Sequence, residues 1–121
     1  MQNAIVWFDI PVQNLERAGK FYSEVLGVTL ARVDHGPKQC YFFPMEPGVV
    51  SGALVQSADN QPSRKGTVVY LNGGSDLAVP LSRVEKAGGK VLQQKTSIGE
   101  HGFIAYLLDC EGNQVALHSP K

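Results

Sequence analysis

Residues 14–27 read NLERAGKFYSEVLG, and this stretch decides the fold. Its apolar residues recur at the three- and four-residue spacing of a helix that buries one face. Asn14 is a residue type that caps helix N-termini, and Glu16 suits the positive end of the helix dipole. Gly27 supplies the left-handed conformation in which many helices end. The stretch therefore predicts an amphipathic helix over residues 15–26.

Short β-rich runs lie on both sides of this helix. Residues 4–10 precede it and are closed by Pro11, which cannot donate a hydrogen bond to a strand ladder. Three apolar runs follow, roughly over residues 28–33, 39–43 and 50–55, and segments rich in glycine and proline separate them. The first half is thus predicted to run strand, helix and three strands.

The same order returns in the second half of the sequence. A strand is predicted over residues 67–72 and a helix over residues 76–87. Pro80 is compatible with that helix because it falls in the first turn, where its missing N–H costs little. The remaining strands are predicted over residues 90–94, 103–108 and 113–119.

A constant offset relates the two halves. Leu77 follows Leu15 by 62 positions, and Gly89 follows Gly27 by the same 62 positions. A repeated supersecondary unit explains this offset. The sequence therefore predicts an α+β fold in which two βαβββ modules form a cupped mixed sheet with helices on the outside. One domain is expected over 1–121, with modules at 1–57 and 67–121 and a connection at 58–66.

Composition and charge narrow the class of protein. Hydrophobic residues make up 43% and charged residues 18%, which is ordinary for a globular domain. Eleven basic residues balance eleven acidic ones, so neither nucleic acid nor a membrane surface is an expected partner. The first four residues lack a cationic or apolar export signal, which favours a cytoplasmic location. Cys40 and Cys110 match no zinc or redox spacing and are expected to be reduced and structural.

Two segments carry a resemblance to a known family. Residues 14–27 resemble the first helix of the vicinal-oxygen-chelate superfamily, which includes glyoxalases, bleomycin-resistance proteins and extradiol dioxygenases. Residues 109–113, followed by residues 114–118, are similar to its last turn and strand, and most closely to an uncharacterised glyoxalase-related branch with an EGN-type turn. The resemblance spans essentially the whole chain and implies a homodimer. It indicates the fold and says little about the reaction, since this scaffold hosts many activities.

The resemblance also implies where a metal would sit. In metal-dependent members, a His, Glu or Gln from each of strands one, four, five and eight binds a divalent ion. The matching positions here are Trp7, Gly52 or Ala53, Val69 and Ala116, none of which ligates metal. Shifting the alignment by one residue supplies no ligand on strands four and five. Neither a metal nor any other cofactor is therefore expected.

Strand alternation predicts which side chains line the cup. Gln114 and His118 share a face with Ala116, and Trp7 shares a face with Asp9. Trp7 either stacks on a ligand or fills the core. Asp9 and His118 are candidates for proton transfer, the alternatives being a structurally paired or exposed acid and a solvated histidine.

Further candidates lie in a loop and on other strands. Glu100 and His101 are flanked by Gly99 and Gly102, which allows either a mobile lid that transfers protons or a solvated surface loop. Four strand residues either contact a ligand or pack beneath the helices: Tyr41, Phe43, Tyr70 and Asn72.

Three functions remain open at this point. The first is a metal-independent protein that binds an unknown small molecule in an apolar, aromatic cup. The second is a cofactor-free lyase or isomerase that uses Asp9 with His118, or Glu100 with His101, for proton transfer. The third is an interaction module with a vestigial pocket. A histidine and a carboxylate within hydrogen-bonding distance would favour the enzyme, and a continuous apolar groove would favour binding.

Overall fold

Two βαβββ units follow one another in the computed structural model, which describes residues 3–121. The first unit contains β1 (Trp7–Pro11), α1 (Leu15–Leu26), β2 (Ala31–His35), β3 (Lys38–Phe42) and β4 (Ser51–Gln56). The second contains β5 (Val69–Asn72), α2 (Ala78–Leu81), β6 (Lys90–Ser97), a 3-10 turn (Gly99–His101), β7 (Phe103–Leu108) and β8 (Gln114–Ser119). The predicted α+β fold with two such units is confirmed.

Each unit forms its own four-stranded sheet, and the two sheets have equivalent topology. The strand orders are β1-β4-β3-β2 and β5-β8-β7-β6. In each sheet the first and last strands of the unit pair in parallel, and the other neighbours are antiparallel. The first strand of each unit, β1 or β5, therefore lies at a sheet edge.

Helix α1 has the ends that the sequence predicts. The Asn14 side chain accepts a hydrogen bond from the Arg17 N–H at 3.0 Å, which is the expected N-cap. Gly27 adopts φ 69°, and its N–H donates to the Ser23 carbonyl. Its buried residues are Leu15, Ala18, Gly19, Phe21, Tyr22 and Val25.

Helix α2 is much shorter than the predicted range of residues 76–87. Only Ala78–Leu81 is α-helical, because the four-residue hydrogen bonds made by the Leu81 and Ser82 N–H groups give way to three-residue bonds at Arg83 and Val84. The Arg83 N–H bonds the Pro80 carbonyl three residues back, and the Ser82 hydroxyl donates to the Val79 carbonyl. Turns then lead to β6.

One face of each sheet packs against the helices in a shared core. Since strand side chains alternate, the intervening residues point away from that core. We call these two surfaces the open faces. The first open face carries Trp7, Asp9, Cys40, Phe42, Ala53 and Val55. The second carries Tyr70, Asn72, Tyr106, Gln114, Ala116 and His118.

Candidate functional site

A cleft of about 1320 Å³ lies between β1, the beginning of β4, β5 and the α2 segment. This volume is slightly above the roughly 300–1,000 Å³ of ordinary small-molecule pockets. Its walls come from two edge strands that are about sixty residues apart in the sequence. Residues that matter for its chemistry are Trp7, Phe8, Phe43, Val50, Tyr70 and Asn72.

Large apolar side chains are exposed around this cleft. Trp7 is 37% exposed, Tyr70 is 50% exposed and Val79 is 53% exposed. Ile5 and Val49 are also exposed and line the cleft. Folding leaves such surface in water only at a cost, and clustered apolar exposure is typical of ligand or partner sites.

Four of the predicted ligand contacts line the cleft, and they differ in how far they are buried: Trp7, Phe43, Tyr70 and Asn72. Phe43 is only 7% exposed, and its ring packs against Tyr22 and Phe8 with centroids 5.7 and 5.6 Å apart. Phe43 therefore belongs mainly to the core, although it contributes to the cleft lining. Larger fractions of the Trp7 and Tyr70 side chains than of Phe43 are exposed.

The two other predicted contacts lie away from the cleft. Tyr41 faces α1, where its hydroxyl donates to Glu16 at 2.9 Å. A Cβ added at Gly19 would come within 2.9 Å of the Tyr41 ring, so the helix needs glycine at that position. Gln114 lies at the start of β8, opposite Leu108, on the second open face.

Trp7 and Asp9 form a local pair on the first open face. The indole Nε1 donates to Asp9 Oδ1 at 3.0 Å, and the Trp7 ring meets Phe42 edge-on at 5.0 Å. The carboxylate is exposed, so its negative charge is solvated as well as paired. This pairing orients the Trp7 ring.

Tyr70 is paired in a similar way on the second open face. Its hydroxyl lies 2.6 Å from the hydroxyl of Tyr106. This hydrogen bond, followed by partial burial, raises the pKa of Tyr70 above its ordinary value. Asn72 follows on the same strand, and its Oδ1 accepts from the Gly74 N–H at 2.8 Å, which leaves the amide nitrogen available.

Of the two candidate acid–base pairs, Asp9 and His118 are separated, whereas Glu100 and His101 are neighbours on the surface. His118 bonds the His101 carbonyl at 2.6 Å through its Nε2 and thereby holds the 3-10 turn against β8. Glu100 and His101 are highly exposed, with 3.7 Å between carboxylate and imidazole. Asp9 and His118 lie on different sheets, and no hydrogen bond or ion pair joins them in the described part of the chain.

The positions matched to a metal site carry no suitable ligands. Ala116 lies opposite Tyr70, so the strand-five residue on its face is Tyr70; the predicted Val69 pairs with Val115 and faces the core. On β4, Ala53 is on the open face, whereas Gly52 lies beneath the Phe8 ring. Within residues 3–121, no three His, Cys, Asp or Glu side chains are grouped to hold a metal ion. Indole, methyl and phenol groups do not fit a family-type divalent site.

A buried carboxylate at Asp109 organises the last turn, although its importance was not predicted from the sequence. It accepts from the Tyr22 hydroxyl at 2.6 Å, from the Glu111 N–H at 2.8 Å and from the Asn113 N–H at 2.9 Å. Burial, followed by the charge of Asp109, raises the pKa of Tyr22 well above its ordinary value. The phenol therefore stays protonated near neutral pH and donates to this carboxylate.

Glu111, two residues further on, joins the second unit to the beginning of α1. Its side chain has no exposed surface and accepts from the N–H groups of Gln13 and Asn14 and from the Arg17 guanidinium. Burial acts to raise the pKa of Glu111, but these hydrogen bonds outweigh it and hold the pKa below its ordinary value. The turn is thus a structural joint rather than a ligand site.

Neither cysteine is set up as a nucleophile. Burial, with the nearby charges of Asp109 and Glu111, raises the pKa of Cys110 to about 11. Burial also raises the pKa of Cys40. Both thiols are therefore largely protonated near neutral pH, and both are free.

Sequence comparisons identify relatives along nearly the whole chain. The sequence profile of the Glyoxalase/Bleomycin resistance protein/Dioxygenase superfamily matches residues 4–117. A glyoxylase-like domain-containing protein of Didymella fabae is 28% identical over 121 residues, which covers 97% of this chain and 94% of that protein.

Solved structures show the same fold. Glyoxalase I from Zea mays superposes with a TM-score of 0.73 at 22% identity over 95% of this chain. The chain spans only 45% of that enzyme's length. The antibiotic binding protein TnmS3 of a Streptomyces species superposes with a TM-score of 0.74 at 23% identity, covering 98% of this chain and 97% of that protein. Among residues 3–121, no helix is long and apolar enough to cross a membrane.

Proposed function

The chain belongs to the Glyoxalase/Bleomycin resistance protein/Dioxygenase superfamily, and we propose that it is a small-molecule-binding protein whose site needs no metal. The observation that carries this proposal is the cleft between β1 and β5, with its apolar and aromatic lining. A cavity of this kind with a few polar groups is the usual form of a small-molecule site. The structural similarity to an antibiotic binding protein agrees with this proposal.

The ligand is proposed to lie between the two exposed aromatic walls. Trp7 is fixed by its bond to Asp9, and Tyr70 by its bond to Tyr106, so neither ring has to be ordered when a ligand binds. Rings held in place in this way reduce the entropic cost of binding. The Asn72 amide nitrogen, which has no acceptor among residues 3–121, supplies a polar contact beside them.

Binding is favoured over catalysis by the separation of the acid–base candidates. Proton transfer between side chains needs heavy atoms within about 3 Å, or one bridging water. Asp9 is bonded to Trp7 and His118 to the His101 carbonyl, on separate sheets. Glu100 and His101 lie 3.7 Å apart, but both are exposed and neither belongs to the cleft lining. The homodimer that the family resemblance implies stays a prediction, and the exposed Ile5 and Val49 at the cleft are compatible with it.

Replacing Tyr70 with alanine is expected to weaken ligand binding roughly tenfold, because an aromatic contact contributes about 0.5–1.5 kcal/mol and further apolar contact is lost. Trp7 is the only tryptophan and lines the cleft, so its emission reports on this site. Apolar aromatic metabolites would be screened by thermal shift. Hits would then be titrated against Trp7 emission in the native protein and in Tyr70→Ala.

Tyr41→Ala is the matched control, since it removes a tyrosine that faces α1 and not the cleft. Its affinity for each hit should stay within twofold of the native value at a temperature where all three proteins are folded. Hits that leave Trp7 emission unchanged and bind Tyr70→Ala normally would place the ligand site elsewhere and refute the proposal.

A further inference from the structure

We infer that the cleft selects apolar aromatic ligands that carry one anionic group, and that Arg83 binds this group. This inference rests on the proposed binding function and names its ligand class. Asp76 and Arg83 are the charged residues of that lining within the described part of the chain.

Asp76 does not offer a free negative charge to a ligand. Its Oδ1 is bound by Lys95 Nζ at 2.9 Å and by the Ala78 N–H at 2.9 Å. The hydrogen bond from Lys95, followed by that from the Ala78 N–H, holds the pKa of Asp76 below its ordinary value. Lys95 in turn lies over the Phe103 ring, 4.6 Å from its centroid. The carboxylate is therefore neutralised by a lysine that is held in place.

Arg83, in contrast, has no acidic partner within 4.0 Å among residues 3–121. Its Nη1 donates to the Val25 carbonyl at 3.1 Å, near the end of α1. A guanidinium has five N–H donors, so most of them remain available. The side chain is exposed, and Arg83 lines the cleft.

The position of Arg83 is set by the end of α1. A Cβ added at Gly27 would lie 3.1 Å from Arg83 Nη1, so the glycine that ends the helix also makes room for the guanidinium. Leu26 and Val28, which flank Gly27, line the same part of the cleft. A positive charge thus sits beside apolar surface, where a ligand anion would be partly shielded from water and held by charge-assisted hydrogen bonds.

Arg83 also has a structural role, because a cation stabilises the C-terminal end of a helix. That role occupies one donor and predicts a loss of stability on substitution. It predicts no difference between anionic and neutral ligands. Selectivity between two ligands of the same ring system therefore separates the two roles.

The test uses two fluorescent probes with the same aromatic body. 8-Anilinonaphthalene-1-sulfonate carries a sulfonate, and N-phenyl-1-naphthylamine is its neutral counterpart. We expect the native protein to bind the sulfonate more tightly than the neutral probe, with quenching of Trp7 in both cases. Arg83→Gln should weaken sulfonate binding roughly tenfold, as for one partly exposed charge-assisted contact, and change neutral-probe binding less than twofold. Arg83→Lys should restore part of the lost affinity.

Arg64→Gln is the control, because it removes the same charge from an exposed residue between β4 and β5 that is not part of the cleft lining. It should leave both affinities unchanged, and circular dichroism at 25 °C would establish that each variant is folded. Equal effects of Arg83→Gln on the two probes, or no preference for the sulfonate, would overturn the inference while the binding proposal stands. Failure of both probes to bind and quench Trp7 would overturn the binding proposal itself.

Discussion

Asp109→Ala is expected to lower the free energy of unfolding by about 3–5 kcal/mol, because it removes the acceptor of several buried donors at once. The Tyr22 hydroxyl and the N–H groups of Glu111 and Asn113 would all lose their partner. Tyr22 is 1% exposed and Asp109 is 4% exposed, so water cannot easily replace the lost bonds. Urea denaturation followed by circular dichroism would measure the loss.

Asp34→Ala serves as the control for this substitution. Asp34 is exposed and pairs with Arg32 on the surface, so the change is expected to leave the free energy of unfolding close to the native value. Tyr22→Phe, combined with Asp109→Ala, should be strongly non-additive, because both remove the same hydrogen bond. A loss below about 1 kcal/mol for Asp109→Ala would show that the Asp109 carboxylate is not needed to hold the last turn against α1.

Glu111→Gln is expected to cost about 2–3 kcal/mol near neutral pH, since a buried charged acceptor of several hydrogen bonds becomes neutral. The cost should depend on pH. The pKa of Glu111 is lower in the folded protein than its ordinary value of 4.5, so folding favours the ionised form. Its contribution to stability is therefore complete above that ordinary value and is lost as pH falls through the folded pKa.

Urea denaturation between about pH 7 and pH 3 should accordingly show native protein and Glu111→Gln converging at the acidic end. Glu24→Gln, which removes an exposed carboxylate from α1, should run parallel to the native curve. A constant difference between native protein and Glu111→Gln at all pH values would mean that the ionisation of Glu111 contributes nothing to folding.

Much of the fold could be predicted from local sequence signals. Helix α1 begins after Asn14 and ends before Gly27 as predicted, because both residues act on the backbone immediately beside them. The equal offset between the halves correctly indicated two equivalent units. Helix α2 was predicted too long, because apolar spacing continues after Pro80 while the backbone changes to tighter turns.

The candidate site was harder to predict, because strand faces depend on pairing. Tyr41 and Phe43 have the same parity on β3 and its continuation, and only pairing with β4 shows that both face the helix side. The strand-five position of the metal site was predicted at Val69, one residue out of register, for the same reason. Val69 pairs with Val115 on β8 and shares its face, which a single strand does not indicate.

The cleft itself is a non-local feature. It exists because the edge strands β1 and β5, far apart in sequence, line the same cleft beside the end of α1. No local sequence pattern indicates that Arg83 lines the cleft, since an arginine after a short helix is usually exposed to solvent. The hydrogen bond from Arg83 to the Val25 carbonyl, near the end of α1, is the contact that places this side chain beside the cleft.

The most direct test of the central claim is a ligand titration monitored through Trp7 emission, with and without divalent metal. The native protein would be treated with EDTA and titrated with N-phenyl-1-naphthylamine, then titrated again after addition of zinc, nickel or manganese. We predict dissociation constants that agree within twofold under all four conditions. Binding that appears only after a metal is added, or that tightens strongly with it, would contradict the claim that this cleft works without one.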